Sequence, residues 1–398
     1  MTKTSSTITA SISKVIIKLM LVALLCSTHQ LCWAINSNTT KNEISSTKPE
    51  KVSVLLLNPS IKNDPFWHKI ETITKQAAAE FNYELSVIYG QGTRYFQLEE
   101  LKKYFTQSSV PNYIILMNYP GHAQLTMEYL KNYKVKIITL EQTIINEERV
   151  TIGKPGENYK NWIGEIYFNN ANAGYLLAKD LINTGKKQKM NPVVAGISGH
   201  YGSESNLRNK GLKLAVEESG AQLTQIVHAG WSAEDAYKKT HRLLKRYPNI
   251  NILWCASDHM ALGAVKAIED SGKQVGKDVL IGGFDWTPKA ITSIQQNKLT
   301  ASIGGHFIMG GVAIMAIYNE EHEQAHHFFV TDEKNSFELA VINQVNVSQY
   351  NSLLQNDGLK HVSFHELIKL YDNPKAQSSI NLLKALKKAS QQHPVNNK

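Results

Sequence analysis

The sequence predicts an α/β protein built as two doubly wound, mainly parallel sheets that meet at a ligand cleft. Three observations carry this. Apolar runs of strand length alternate with stretches of helical length through residues 51–350, the pattern of a parallel sheet with right-handed crossovers and helices on both faces. Two of the runs stop abruptly at an acid, Asp258 and Asp285. Such a run is a strand buried on both faces, and a residue at its carboxyl end points into the crevice where these sheets bind ligands. The polar, aromatic run 161–170 and a late extended segment, 337–342, break the rhythm, which favours two open sheets joined by several crossings over a single eight-stranded barrel.

At the amino terminus, Lys3, Lys14 and Lys18 precede the apolar core 19–26 (LMLVALLC), and Cys32-Trp33-Ala34 offers a small-x-small cleavage site. Residues 1–34 therefore read as a cleavable secretory signal peptide, and the expected compartment is the periplasm. The apolar core is far shorter than the roughly 20 residues that span a bilayer. Leu25 precedes Cys26 and Leu31 precedes Cys32, where a lipoprotein signal needs small residues. Residues 35–50 are polar and aperiodic, a flexible leader to the folded body.

Of the three cysteines only Cys255 lies beyond the leader, and its apolar surroundings make it a small core residue. The formal charge is +9, with three positive charges in the leader. Bases and acids are interspersed downstream, which describes a solvated surface and not a nucleic-acid or membrane patch. The body exceeds the roughly 250–300 residues at which one core stops growing, so two domains are expected.

Taken in order, strands are expected at 52–57, 85–89, 113–117, 135–140, 193–198, 223–227, 250–255 and 279–282. Helices fill the intervals. In 203–219, Leu207, Gly211, Leu214 and Ala215 fall at helical spacing and Gly220 supplies a stop.

The candidate ligand residues lie just beyond strand ends. Asp64, Phe66 and Trp67 follow the first strand, Asn118 and Tyr119 the third, and Glu141 and Gln142 the fourth. The second half offers Arg208, Trp231, Asp258 and Asp285. Carboxylates, amides and an arginine can accept from and donate to vicinal hydroxyls, while flat aromatics cover the C–H faces of a sugar ring. The combination fits a carbohydrate. Structural roles compete at several positions: Phe66 and Trp67 could form the first core turn of the helix running to Phe81. Trp231 directly precedes a capping box, Ser232 to Asp235, and could be its hydrophobic staple. Asp258 is expected to cap a helix starting at His259, a role compatible with ligand contact. Asn118 could serve the turn Tyr119-Pro120-Gly121, and Arg208 could be a solvated helix charge.

At these residues the chain resembles the type I periplasmic binding proteins, in particular the ribose- and galactose-binding group, which shares its fold with the ligand domains of LacI-type repressors. The resemblance covers about residues 51–350. It rests on Asp64-Pro65-Phe66-Trp67, Ile137-Ile138-Thr139-Leu140-Glu141, Arg208-Asn209-Lys210-Gly211-Leu212, the stretch from Ser257-Asp258 to Gly263-Ala264, and Gly283-Phe284-Asp285. It implies two lobes that close on a sugar, with Ser257 and His306 joining the contact set. It further implies crossings near residues 166, 305 and 334. The amino-terminal lobe would then comprise 51–166 plus 306–333, with 312–318 packing back onto it, and the carboxy-terminal lobe 167–305 plus 334–350.

Departures from the pattern argue against assigning ribose: Ser257-Asp258 stands where ribose binders carry Asn-Asp, Glu141-Gln142 where they carry Asp-Arg, and Gly304-Gly305-His306 where a glutamine is expected. The lost arginine is a bidentate donor that is hard to replace. On this reading Asp258→Ala or Asp285→Ala abolishes binding and leaves the fold near intact.

Residues 351–398 lie outside the resemblance. Leu382, Leu386 and Ala389 share one face of 378–390, with Lys384, Lys387 and Lys388 nearby, a basic amphipathic helix that either lies on a lobe, frays, or touches a membrane or partner. The histidines show no HExxH or comparable ligand spacing, the group His322, His326 and His327 included, so neither an enzyme nor a metal or other cofactor is expected. A repressor would need a helix-turn-helix before the binding domain, and an exported chain could not reach DNA. The expected protein is a monomer that captures a sugar for an ABC-type permease. The rival expectation is a sensor accessory that presents a bound sugar or furanone to a membrane kinase, chemoreceptor or cyclase.

Overall fold

Residues 51–141, 144, 146–324, 328–329, 338–354, 358–371 and 382–391 are described by a computed structural model, and their strands sort into two sheets. The first holds β1 (Ser53–Asn58), β2 (Glu84–Tyr89), β3 (Tyr113–Leu116), β4 (Lys136–Leu140) and β5 (Trp162–Ile166) in the order β2-β1-β3-β4-β5, all parallel. The second holds β6 (Val193–Ser198), β7 (Gln222–His228), β8 (Ile252–Cys255), β9 (Leu280–Phe284), β10 (Ala301–Gly304) and β11 (Ala340–Asn343) in the order β11-β10-β9-β8-β6-β7. All its neighbours are parallel except β11, which runs antiparallel to β10. Every residue of the inner strands β3, β6, β8 and β9 is buried, whereas β2 and β7 at the edges are half-exposed. Burial on both faces is why the inner strands stand out in the sequence as unbroken apolar runs.

Helices α1 (Pro65–Glu80), α2 (Arg94–Gln107), α3 (Ala123–Leu130) and α4 (Asn146–Ile152) connect the first sheet. After Ile166 the chain enters α5 (Asn170–Lys187), which packs against β8, β9, β10 and β11 of the second sheet. Helices α6 (Ser203–Ser219), α7 (Ala233–Arg246), α8 (Asp258–Asp270) and α9 (Pro288–Gln295) complete that sheet's crossovers. From β10 the chain passes through a 3₁₀ turn, His306–Ile308, into α10 (Met309–Glu321), which packs on α1 and on β3, β4 and β5. The return to β11 runs through residues 325–337, so the expected boundary near 334 lies outside the described residues.

Helix α6 ends at Gly220, whose φ of 68° gives the left-handed cap that glycine favours. It lies unusually close to α5. A Cβ on Gly211 would fall 1.9 Å from Ala171 O, and one on Gly174 would fall 2.1 Å from Arg208 O. These two glycines let the helix backbones touch, and the approach fixes where Arg208 stands.

Two strands escape the sequence reading. The run 161–170 contains β5, disguised because a charged residue, Glu165, is buried in it against Arg149 (2.8 Å). Strand β10 is short and built of small residues, ASIG, so it lacks an apolar signature. The cap of α8 is also corrected: Ser257, not Asp258, occupies it, and Ser257 Oγ accepts from Met260 N at 3.2 Å.

Beyond β11, α11 (Val347–Leu354), a 3₁₀ turn (Gly358–His361), α12 (Phe364–Tyr371) and α13 (Leu382–Gln391) form a packed group. Ala385, Leu386 and Ala389 of α13 are buried. Of the alternatives for this amphipathic helix, the structure has its apolar face turned onto the protein. Val52 onward forms a single compact unit. Among the described residues no helix is long and apolar enough to cross a membrane.

Candidate functional site

The carboxyl ends of β1, β3 and β4 face those of β6, β7, β8 and β9 across a cleft of about 680 Å³. Of the sequence candidates, Asp64, Phe66, Trp67, Glu141, Arg208, Trp231, Ser257, Asp285 and His306 line it. Asn118 and Asp258 are buried and do not, and Gln142 lies outside the described residues. A broader groove of about 940 Å³ on the outer face of α7, α8 and α9 shares only His259 with the cleft.

On the amino-terminal side, Asp64 caps α1: its Oδ1 accepts from Phe66 N (3.1 Å) and Trp67 N (2.9 Å), and its Oδ2 from Ser60 Oγ (3.0 Å). The cap fixes the angle at which the helix presents Phe66 and Trp67 to the cleft. Phe66 and Trp67 meet edge to face at 5.6 Å, and Phe66 lies against the His306 ring at 4.6 Å. Asn118 is turned inward, and neither of its amide atoms finds a partner. Its neighbours Met117 and Tyr119 line the cleft instead.

Glu141 sits directly after β4 in a left-handed conformation, φ 64°, a strained geometry for a non-glycine residue. It is only 5% exposed. Burial raises its pKa to about 7 with help from Glu204 and Asp285, against the pull of Arg208 and the Asn170 amide.

On the opposite wall Arg208 is held from three sides. Its Nε donates to Asn170 Oδ1 (2.8 Å), its Nη1 donates to Ala256 O (2.9 Å), and its guanidinium lies 4.4 Å from the centre of the Phe284 ring. The solvated-charge alternative is thereby removed, since Arg208 is 5% exposed. Trp231, also left-handed at φ 64°, covers Gly199 so closely that a Cβ there would lie 2.1 Å from its ring. Its ring centre is 5.8 Å from the Arg208 guanidinium.

Asp285 follows β9 at φ 106° and Trp286 follows at φ 50°. Their strained backbone turns Asp285 toward the cleft while Trp286 is fully buried. The carboxylate Oδ1 accepts from His306 Nε2 at 3.1 Å. Burial lowers the His306 pKa, and nearby Arg208 and Lys69 add to this against the attraction of Asp285, so the ring is neutral at pH 7. With the proton on Nε2, its other nitrogen is buried and unpartnered.

Asp258 corrects the sequence reading most. It is fully buried. Its Oδ1 accepts from Ser302 Oγ (2.7 Å) and its Oδ2 from Thr287 N (2.8 Å) and Thr287 Oγ1 (3.1 Å). These bonds tie α8 to β10 and to the start of α9 and leave its oxygens engaged inside the protein. Burial, then Asp285, push its pKa well above the usual carboxylate range. Lys69 of α1 links the two sides: its Nζ donates to Trp286 O (3.3 Å) and lies 3.8 Å from the centre of the Phe307 ring. Burial lowers its pKa to about 8.

Sequence reasoning missed His200, Tyr201, Glu204 and His259, all of which line the cleft. The signal was available for three of them, because His200 and Tyr201 lie just beyond the end of β6 and His259 follows Asp258.

Residues 54–322 match the family described as "Periplasmic binding protein domain". The chain belongs to this family. Among solved structures, a periplasmic sugar-binding protein from Pseudomonas fluorescens is 25% identical, with a TM-score of 0.68 over 79% of this chain and 94% of that one. An ABC transporter solute-binding protein from Actinobacillus succinogenes with bound D-allose shares the fold at 21% identity and a TM-score of 0.64, over 75% of this chain and 100% of that one.

Among curated relatives, the transcriptional regulator MalR of Clostridium butyricum is 24% identical over 59% of this chain and 68% of its own length. The D-allose-binding periplasmic protein of Escherichia coli is 31% identical over 28% of this chain and 35% of its own length. The solved sugar-binding proteins thus share the fold of this family member.

Proposed function

We propose that this protein is a periplasmic solute-binding protein, exported by its amino-terminal signal, that captures a small neutral carbohydrate by hinge closure and delivers it to an ABC-type transporter. The observation that carries the reading is one cavity lined from both lobes by flat aromatics and by anchored polar groups. Phe66, Trp67 and Trp231 would cover the apolar faces of a sugar ring. Asp64, Glu141, Arg208, Ser257 and Asp285 would address its hydroxyls, with His306 and Asp258 holding the frame behind them. Closure selects the bound form because ligand contacts come from both lobes. Proteins of this fold have been solved with D-allose and with myo-inositol bound, both polyhydroxylated rings.

A thermal-shift screen of the purified protein against monosaccharides and polyols tests this. A ligand that binds only the folded form at a hundred times its dissociation constant stabilises by about 2.7 kcal/mol, and at least one neutral sugar is expected to raise the melting temperature. No shift with any carbohydrate, beside a clear shift with an amino acid, overturns the substrate class.

Presentation of the bound sugar or of a furanone signal to a membrane receptor is the second reading. It is favoured by the packed carboxy-terminal helices, which extend past the matched family region. Permease and ATPase genes beside this one support uptake, whereas a histidine kinase or diguanylate cyclase gene supports sensing.

A further inference from the structure

The carboxy-terminal helices touch both lobes. Helix α11, which continues from β11, packs against α9 of the carboxy-terminal lobe, and Gln295 Nε2 donates to Asn351 Oδ1 at 2.9 Å. Helix α12 packs against α10 of the amino-terminal lobe. There Phe364 seats on Gly311, where a Cβ would lie 2.2 Å from its ring. The start of α12 is capped by the last residue of α1: Glu80 accepts from Ser363 Oγ (2.7 Å), Phe364 N (2.9 Å) and His365 N (3.1 Å). A carboxylate at a helix amino terminus satisfies open N–H groups and complements the helix dipole. Gln76 Nε2 adds a bond to Val362 O at 2.8 Å.

Helix α13 closes the assembly. It packs on α11, on α12 and on the 3₁₀ turn between them, with Leu386 and Ala389 fully buried. Lys387 Nζ donates to Gln349 O at 3.1 Å, on the α11 side. The group is therefore one packed body with one foot on each lobe. Its contacts with α1 lie in that helix's last turns, some 20 Å from Asp64 by helical rise, and α10 begins at the crossing that carries His306. None of the described residues of this body lines the cleft.

We infer that the described residues 347–354, 358–371 and 382–391 act as a strap that limits how far the two lobes swing apart. Rotation of one lobe against the other must strip α12 from α1 and α10 or α11 from α9, or split α13 from one of its neighbours. The strap raises the free energy of the widely open form and so favours states nearer closure. The inference rests on the hinge-closure reading of the cleft, but it can be measured without a ligand.

The experiment places a pair of spectroscopic labels at Tyr95 and Tyr201, carried by non-natural amino acids. Both side chains are exposed (64% and 84%): Tyr201 follows β6 and lines the cleft, and Tyr95, at the start of α2 in the other half, adjoins the cleft-lining Arg94. The ligand-free parent is compared with Leu386→Asp, which drives a charge into the packed face of α13, and with the milder Glu80→Gln, which weakens the α12 cap. Hydrogen exchange across 382–391 reports whether the strap has come loose. Faster exchange there together with a shift to longer label distances is the expected result.

Unchanged distances with a loosened α13 overturn the inference, as does an α13 that stays protected in both variants. Should Leu386→Asp fail to fold, Glu80→Gln alone decides. Failure of the carbohydrate reading registers separately, as an absence of any thermal shift with sugars.

Discussion

His306 donates from Nε2 to Asp285 Oδ1 at 3.1 Å, so the residue that opens the crossing back to the amino-terminal lobe steadies a carboxylate at the end of a strand in the other. The crossing between the two sheets and the candidate site share this one bond. Substituting His306→Phe keeps the ring against Phe66 and removes the donor. A hydrogen bond to a charged group contributes about 1.5–3 kcal/mol, so the affinity for the sugar identified by the thermal screen is expected to fall about tenfold or more, read by calorimetry.

The same histidine sets a pH dependence. Its folded pKa lies below the ordinary 6.5 because of burial, so the unfolded chain binds the proton more readily. Its contribution is present above pH 6.5 and is lost as pH falls through the folded value. Denaturant titrations should show the parent losing stability over that acid range, and His306→Phe losing less.

Glu141 works with the opposite sign. With its folded pKa raised to about 7 from 4.5, the folded protein holds the proton more tightly. Its own contribution to stability is fully present below pH 4.5 and is lost as pH rises through about 7, by roughly 3 kcal/mol at about 1.4 kcal/mol per unit, against the opposite trend of His306. Glu141→Gln should flatten this slope in denaturant melts taken from pH 4.5 to 8. An unaltered slope would place its source in another group.

Asp258 and Asp285 separate by what their loss costs. Asp258→Ala leaves the fully buried Ser302 hydroxyl and the half-buried Thr287 N–H without their acceptor and is expected to destabilise by about 2–4 kcal/mol. Asp258→Asn, which retains an acceptor for Thr287 N, should cost less than about 1 kcal/mol. Asp285→Ala is expected to weaken binding strongly and, because it leaves only the buried His306 Nε2 without its acceptor, to destabilise the ligand-free protein by about 1–3 kcal/mol, less than Asp258→Ala. Equal melting temperatures for Asp258→Ala and the parent would contradict the bracing role.

Gly199→Ala tests the aromatic wall. A Cβ at 2.1 Å from the Trp231 ring must push the indole out of place, and affinity should drop to about the level of Trp231→Ala. Tryptophan fluorescence would register the displaced ring even without ligand.

The alternation of strands and helices was legible because its signals are local. An inner parallel strand must be apolar along its length, and a helix such as α6 shows its face and its Gly220 stop within one segment. Strands β5 and β10 were hidden for the converse reason. Glu165 is buried only because Arg149, from another element, reaches it, and the small residues of β10 become a strand only by pairing with β9 and β11. The left-handed backbone at Glu141, Trp231 and Asp285 also has no signature in residue type, since glycine would be the expected choice there.

The sequence by itself determined the fold class, the order of its elements and the chain positions from which a ligand could be reached. Two acids ending two apolar runs looked equivalent in it. Only the tertiary structure decided that Asp285 faces the cleft while Asp258 is bound up with Ser302 and Thr287, and that the terminal helices lie across both lobes. The reason is physical: periodicity reports which face of an element is buried, but a polar group's role depends on partners that arrive from distant parts of the chain.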